Sequence, residues 1–464
     1  MVENLTMNNN KDKRNALISA MLGSFMTPFL SSSVNVALPT IEFHMDAVTM
    51  SWVSTGMLLA TAAFVVPIGK ISDMWGRKKM YTTGMIIMII SIILAALSVD
   101  PLTLILSRVI QGIGAGMTFA TGLAITTSLY EPHERGKAIG WVISVVYIGL
   151  SLGPFIGGIV TQHFGWRVLF LINLPMAIGG WYFAFIIKQE WKIPQESKFD
   201  YLGTIIYVIS IVMIMLGFSK LNSIPGAIVW AIGIIGIVLF AIYEHKIKNP
   251  IIDISLFWRN TRFTFSNIAS FINYSTTFSV GFLLSLFLQI TRNMTPAQAG
   301  TILIAQPVVM AIFTPLTGKL SDKYDASILS SIGMAISALG LLALSFINID
   351  TGIPWIVGIL LFLGLGFALF SSPNTVAIMS SVEKRELALA SSISSTMRTL
   401  GQMMSMGLTM LVIAFFVGEK ESLKNHPDGL MSTMHFAFMI FTGMSVVGIF
   451  ASLFRGKHKN GTNA

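Results

Sequence analysis

The sequence predicts an all-α membrane protein of fourteen transmembrane helices, built as two six-helix halves with two extra helices between them. Three observations predict it. The 464 residues are 54% hydrophobic, with mean hydropathy +0.75 and only 30 Lys and Arg and 21 Asp and Glu, a composition outside the range of soluble domains. Apolar runs of about 18 to 28 residues fill nearly the whole chain, each long enough as a helix to cross roughly 30 Å of hydrocarbon at 1.5 Å per residue. A charged stretch between two such runs also recurs once in the second half of the chain.

Residues 1–15 form a polar tail, and the run that follows, 16–39, has the length of a true span. The first helix is therefore expected to be retained rather than cleaved as a signal peptide. Glu42 and Asp46 separate it from 48–69, the loop GKISDMWGRKKM (69–80) leads into 80–99, and Asp100 divides that run from 101–128. Glu134, Arg135 and Lys137 precede 138–160, Arg167 precedes 168–187, and these six runs make the first half, 16–187. The linker, 188–260, carries the two extra runs, 201–219 and 227–244, separated by Lys220. The second half, 261–453, holds 262–290, 297–318, 327–349, 354–381, 388–417 and 431–453, and 454–464 is a basic tail. Helix is the state expected of all fourteen runs, because lipid offers no partners to backbone N–H and C=O groups.

Basic residues set the orientation. With the N-terminus inside, 23 of the 30 Lys and Arg fall in cytoplasmic segments and five in outer loops (Arg167, Lys220, Arg292, Lys420 and Lys424), leaving Arg108 and Arg398 within spans. That asymmetry predicts both termini in the cytoplasm of a multi-pass plasma-membrane protein. The net charge of +9 thus reports topology and lipid contact, not nucleic-acid binding. The chain has no cysteine, which excludes disulfides, thiolate zinc sites and thiol catalysis. No metal-ligand cluster, catalytic triad or phosphate-binding Gly-rich loop occurs, so no catalytic residue, metal or cofactor is expected.

The recurring stretch is GKISDMWGR at 69–77 and GKLSDKYDA at 318–326, with Gly69, Lys70, Ser72 and Asp73 repeated as Gly318, Lys319, Ser321 and Asp322. Each copy follows the second span of its half. Internal duplication in a many-span chain is the mark of alternating-access transporters, whose halves rock about a central site. The stretch 69–79 resembles the loop signature of the major facilitator superfamily, and the 6+2+6 arrangement resembles its fourteen-span drug:proton antiporter family. LILSRVIQGIGAG (104–116) is similar to that family's fourth-span motif through Leu104, Arg108, Gln111, Gly112 and Gly114. GLSLGPFIGG (149–158) matches its fifth-span antiporter motif at Gly149, Gly153, Pro154, Gly157 and Gly158, and WRVLFLINLP (166–175) resembles its sixth-span entry.

The resemblance implies a major facilitator fold in which Asp73 and Arg77, with Gly69 and Gly76, help to lock the halves together on the cytoplasmic side. In the second copy Asp325 and Ala326 replace Gly76 and Arg77, so a latch through Asp322 is expected to be weaker. Glycines 149, 153 and 157 recur every four residues and so line one helix face, able to admit a close neighbour. Pro154 bends that face. A guanidinium within a span costs roughly 2.5 kcal/mol or more, so Arg108 and Arg398 should face protein or water; by resemblance Arg108 belongs to coupling. Polar side chains within spans include Thr27, Ser31, Ser32, Ser33, Asn35, Asn267, Asn273, Tyr274, Gln289, Gln306 and Asn374. By resemblance the first and fourth helices of each half line the central path, which selects Asn35, Arg108, Asn273, Tyr274 and Asn374.

One departure from the family pattern stands out. Fourteen-span drug exporters carry an Asp five residues before the Asn of a VNVALP-like stretch, whereas here FLSSSVNVALP has Leu30 at that place. All 21 acids fall in loops, tails or span ends, so Glu42, Asp46 and His435 are the nearest candidate titratable groups. The sequence reading is a secondary transporter, expected to be monomeric, that exports amphiphilic small molecules on an ion gradient, of protons by resemblance. Its alternatives are a metabolite or lipid carrier without proton coupling, and a non-transporting receptor or scaffold. The topology is testable because any introduced thiol is unique. Pro194→Cys and His458→Cys should be shielded from a membrane-impermeant thiol reagent in intact cells and Lys424→Cys labelled; labelling at 194 would overturn the 6+2+6 scheme.

Overall fold

A computed structural model describes residues 2–455 except 42, 44, 131, 192–198, 222, 248–249, 253, 322, 383–386, 419–422 and 424–425. Fourteen segments of it are long and apolar enough to span a membrane. In chain order they are α1 (Val2–Ala37), α2 (Ala47–Trp75), α3 (Arg77–Ala96), α4 (Pro101–Leu129), α5 (Pro132–Phe164), α6 (Trp166–Phe185) and α7 (Tyr201–Phe218). They continue with α8 (Ile224–Glu244), α9 (Thr261–Thr291), α10 (Pro296–Leu320), α11 (Ala326–Leu344), α12 (Ile353–Ser380), α13 (Leu387–Phe416) and α14 (Pro427–Leu453). The polar tail expected over 1–15 is helical from Val2 onward, because neither Gly nor Pro occurs before Gly23 to stop α1.

Short polar residues begin the helices by accepting from the orphan first-turn amides. Asp46 accepts from Thr49 N at 2.6 Å to start α2, Asp100 and Thr103 form a capping box on α4, and Asn260 accepts from Phe263 N at 3.0 Å to start α9. Gly76 adopts φ 120° between α2 and α3, so the chain reverses with a single residue between two spans. Only glycine takes that conformation without strain. Where α9 breaks near Ser279, α13 supplies the missing partner: Ser279 N donates to Ser405 Oγ at 3.1 Å, and the two hydroxyls lie 2.7 Å apart. Irregular backbone inside a membrane is tolerated where protein satisfies it.

Packing follows a repeat. Helix α1 lies on α5 and α6, α2 and α3 on α4, and α3 on α6; α9 lies on α13 and α14, α10 and α11 on α12, and α11 on α14. Small residues make the matching contacts. Gly84 of α3 meets Gly114 of α4, where an added Cβ would stand 3.1 Å from the Gly114 carbonyl, and Gly333 of α11 meets Gly366 of α12, where it would stand 2.6 Å away. Thr61 Oγ1 bonds the Gly112 carbonyl (3.1 Å) between α2 and α4, and Thr317 Oγ1 bonds the Ala368 carbonyl (2.8 Å) between α10 and α12. The two units meet along α5 with α10, α2 with α13, and α1 with α9.

The extra pair is not symmetric about this seam. Helices α7 and α8 pack on each other, and α7 also lies against both α2 and α13. Tyr207, Ile211 and Met215 of α7 fill the space between Ala62 and Ala63 of α2 and Met403 and Met410 of α13. Tyr207 Oη donates to the Ala62 carbonyl at 3.0 Å. One side of the seam is therefore covered by protein. Gly112→Val tests the packing of α4 on α2, since even a Cβ there would lie 2.3 Å from the Met57 carbonyl. It should lower stability by about 1–3 kcal/mol, read as a drop in unfolding temperature of the purified protein.

Candidate functional site

The charged loop after α2 is anchored inside its own unit. Arg77 Nε donates to Asp73 Oδ1 at 2.8 Å and Arg77 Nη1 to Ser128 Oγ of α4 at 3.1 Å. The backbone N–H groups of Lys78 and Lys79, at the start of α3, donate to Glu190 at 2.9 and 3.2 Å, and Arg77 N donates to the Trp191 carbonyl. Glu190, which sequence reasoning passed over, thus caps α3 with a carboxylate on its positive end. A Cβ on Gly76 would lie 2.6 Å from the Glu190 carboxylate, so the cap also depends on glycine there. A Cβ added at Gly69 would meet no atom within 4 Å, so this glycine serves no close helix approach. Asp322 lies outside the described residues; beside it, Asp325 accepts from Ser327 N at 2.7 Å and caps α11.

The fifth-span motif makes two different contacts. Gly149, Gly153 and Gly157 face α1 of the same unit, where added Cβ atoms would fall 2.6 Å from the Phe25 carbonyl, 1.9 Å from Ser32 Oγ and 2.5 Å from Ser33 Cβ. The seam itself is met by the next positions. Gly158 abuts Pro296, and Gly300 abuts Pro154, with Cβ–carbonyl distances of 2.4 and 2.1 Å for the hypothetical side chains. Pro154 therefore does more than bend α5, since its carbonyl is the surface against which α10 packs. At the same end of the bundle Ser285 Oγ bonds the Asn35 carbonyl (3.0 Å) and Gln289 Nε2 the Val36 carbonyl (2.8 Å). The two units are joined tightly at the end away from the 69–80 loop.

Arg108 is buried without a carboxylate partner among the described residues. Its Nε donates to the Val53 carbonyl at 3.0 Å, Nη1 donates to Gln111 Oε1, and its guanidinium lies 6.0 Å from the Phe170 ring centre. It ties α4 to α2 and α6, while Gln111 Nε2 is left unpartnered and Gly112 sits on the Met57 carbonyl. Asn35 Oδ1 accepts from Ser54 Oγ at 2.7 Å. Asn273, wholly buried, has neither side-chain atom bonded, and Asn374 donates to the Ser266 carbonyl at 3.3 Å with Oδ1 unpartnered. Tyr274 stands edge-on to Phe367 with ring centres 5.4 Å apart. Arg398 is half-buried, and it and Tyr274 lie within electrostatic reach of Tyr147.

Tyr147 is a seam residue that sequence reasoning missed: its hydroxyl bonds Ser371 of α12 at 2.7 Å, from one unit to the other. The available signal was a phenol two residues before Gly149. Among the candidate titratable groups, Glu42 lies outside the described residues, Asp46 is spent as the α2 cap, and His435 Nε2 lies 2.6 Å from the Ile347 carbonyl. One of the span-end acids is buried. Glu244, the last residue of α8, is 2% exposed. Its Oε1 and Asp200 Oδ2 both lack a donor among the described residues, and both crowd the same face of Gly203. A proton between two such facing carboxyls would satisfy both. The pair sits in the extra helices, not at the seam.

A family model, Major Facilitator Superfamily, matches residues 20–257 and 267–464. The chain belongs to the major facilitator superfamily. This family member is 29% identical over 450 residues, 96% of this chain and 98% of the relative, to the riboflavin transporter RibZ of Clostridioides difficile (strain 630). It is 28% identical over 409 residues, 86% of this chain and 75% of the relative, to the multidrug transporter protein MdtP of Bacillus subtilis (strain 168). A crystal structure of a POT family transporter in complex with a thioalcohol-conjugated peptide aligns with TM-score 0.70 at 15% identity, covering 95% of this chain and 96% of that one. This superfamily chain is a multi-pass membrane transporter with fourteen candidate spanning helices. Asp73→Asn tests the loop: the pair it forms with Arg77 is partly exposed and worth only about 0–1 kcal/mol, so folding should be near normal. Transport in vesicles should nonetheless fall strongly, and Asp322→Asn should do less harm; parental flux in Asp73→Asn would reduce the loop to a topology signal.

Proposed function

We propose that the protein moves neutral or anionic amphiphilic small molecules out of the cell by alternating access, as a multidrug-type exporter. The single observation that carries this reading is the make-up of the seam. Two like-built units meet through α1, α2, α5, α9, α10 and α13, and the side chains named near their meeting point are amides, phenols, hydroxyls and Arg398, with no carboxylate among the described residues. In a low-dielectric interior such a lining favours neutral or negative solutes over quaternary cations. Phe and Met supply adaptable walls around it. The tight joint at the end away from the 69–80 loop, with Asp73 and Arg77 engaged inside their own unit among the described residues, supports a state closed on the outer side. Rocking that breaks the Gly158–Pro296 and Gln289–Val36 contacts while engaging Asp73 across the seam would expose the other side.

A second reading has its own observation. The relative spanning 98% of its own length against this chain is a riboflavin transporter, and a flat, neutral, amide-rich heterocycle is a solute that buried amides and a Tyr–Phe edge pair could hold. Under that reading the protein is a carrier of one metabolite, with or without proton coupling. Flux of riboflavin and of uncharged and cationic dyes in proteoliposomes, with and without a pH gradient, separates the two.

Leu30 carries the sharper test. It is fully buried in α1, five residues before Asn35. Leu30→Asp should raise flux of lipophilic cations and make it depend on external pH. The cost is lower stability, because an unpaired buried carboxylate is desolvated. Vesicles holding the parent protein should show little cation-stimulated proton movement, and robust parental antiport of a dication would overturn the proposal.

A further inference from the structure

We propose that Arg455 and Arg262 form a binding site for a phosphate-type anion at the end of the second unit, between α9, α11 and α14. Arg455 follows the last turn of α14 and is 2% exposed, yet Nε, Nη1 and Nη2 all lack a hydrogen-bond partner among the described residues. Five N–H donors on one buried cation constitute a larger unmet demand than any other side chain among the described residues presents. Arg262, in the first turn of α9, holds its own Nε buried and unpartnered close by. Burial first and the neighbouring Arg262 charge second lower the Arg455 pKa to about 9, with Asp325 opposing them. Asp325 is already engaged in capping α11 through Ser327 N. Among the described residues, Arg455 thus feels one like charge, Arg262, and one carboxylate, Asp325.

The surroundings are built rather than incidental. Two helix N-termini, of α9 at Thr261 and α11 at Ala326, end in this region and add positive potential. Ser331 Oγ donates to Ser452 Oγ at 2.7 Å and fixes α11 to α14 just inside the site, and Phe265 and Phe454 lie with ring centres 6.5 Å apart beside it. An uncompensated buried guanidinium is costly, whereas a tetrahedral oxyanion meets its planar fork with paired, charge-assisted bonds. The site lies at the end of the bundle that carries the basic loops, where phosphate arrives either as an anionic lipid headgroup or on a soluble compound. This inference does not depend on which solute crosses the seam.

The test uses the purified full-length protein in phosphatidylcholine nanodiscs, with and without phosphatidylglycerol. Native mass spectrometry counts retained phosphatidylglycerol, and thermal unfolding in the lipid-neutral discs reads stabilisation by inorganic phosphate. A headgroup ligand should appear as an extra retained phosphatidylglycerol on the parent protein, and a soluble one as a rise of a few degrees with phosphate. Either affinity should be about tenfold weaker in Arg455→Gln and in Arg262→Gln. Arg262 is half-exposed, so its variant decides the matter should Arg455→Gln fail to fold. Parent and Arg262→Gln behaving alike in both arms would overturn the proposal.

Discussion

Hydrocarbon offers no hydrogen bonds, so every backbone amide in the spans must find its carbonyl within its own helix. That constraint governs the rest of the structure. It makes helix the only state open to fourteen apolar runs, and it also decides what happens where a helix breaks, as at Ser279, whose N–H is met by Ser405 of α13. Many hydroxyls inside the spans obey the same rule by bonding back to their own helix, as Ser33 does to the Phe29 carbonyl and Thr409 to the Ser405 carbonyl. A chain so satisfied internally has no backbone demand left to hold its helices to one another.

Helix association then rests on close approach. Lipid tails are as apolar as leucine, so burying leucine between helices gains little over leaving it in the bilayer, and contact distance becomes the lever. Glycine supplies it at both levels of the architecture. Within units, Gly149, Gly153 and Gly157 bring α5 onto α1, and Gly84 brings α3 onto α4; between units, Gly158 and Gly300 let α5 and α10 touch backbone to backbone. Consecutive residues of α5, Gly157 and Gly158, therefore serve an internal joint and a joint between units. A helix that is part of both can transmit a shift in one to the other, which is the physical content of rocking.

Electrostatics set apart the places where charge is kept. Arg108 is held by a carbonyl, an amide and a ring, a neutral cradle that fixes α4 without creating a dipole pair at the seam. Several carboxylates serve helix starts or the extra helices: Asp46, Asp100, Asp200 and Asp325 cap, Glu190 caps from a distance, and Glu244 faces Asp200, while Asp73 pairs with Arg77 at the end of α2. Caps of this kind place acids where the bilayer ends, so the same residues that delimit the spans leave the interior without anions. The guanidinium of Arg455, without a hydrogen-bond partner among the described residues, is the exception in the opposite sense.

The sequence by itself determined the helical state, the number of spans, the internal repeat and the superfamily. Each of these is written in local pattern: length of apolar run, spacing of glycine, recurrence of GKxSD. It also picked out Gly149 through Gly158 as a packing motif, because residues four apart must share a face. Which neighbour that face meets was not legible, since every helix of a bundle offers a similar apolar surface and only the tertiary structure assigns Gly157 to α1 and Gly158 to α10. The same reason hid Tyr147, Glu190 and Arg455. Each draws its meaning from a partner, or the lack of one, more than fifty residues away: Ser371 for Tyr147, the start of α3 for Glu190, and for Arg455 an anionic partner that the described residues do not supply. Local pattern fixes what a segment is, whereas pairing across the bundle depends on the full set of competing helix contacts and is decided only when they form together.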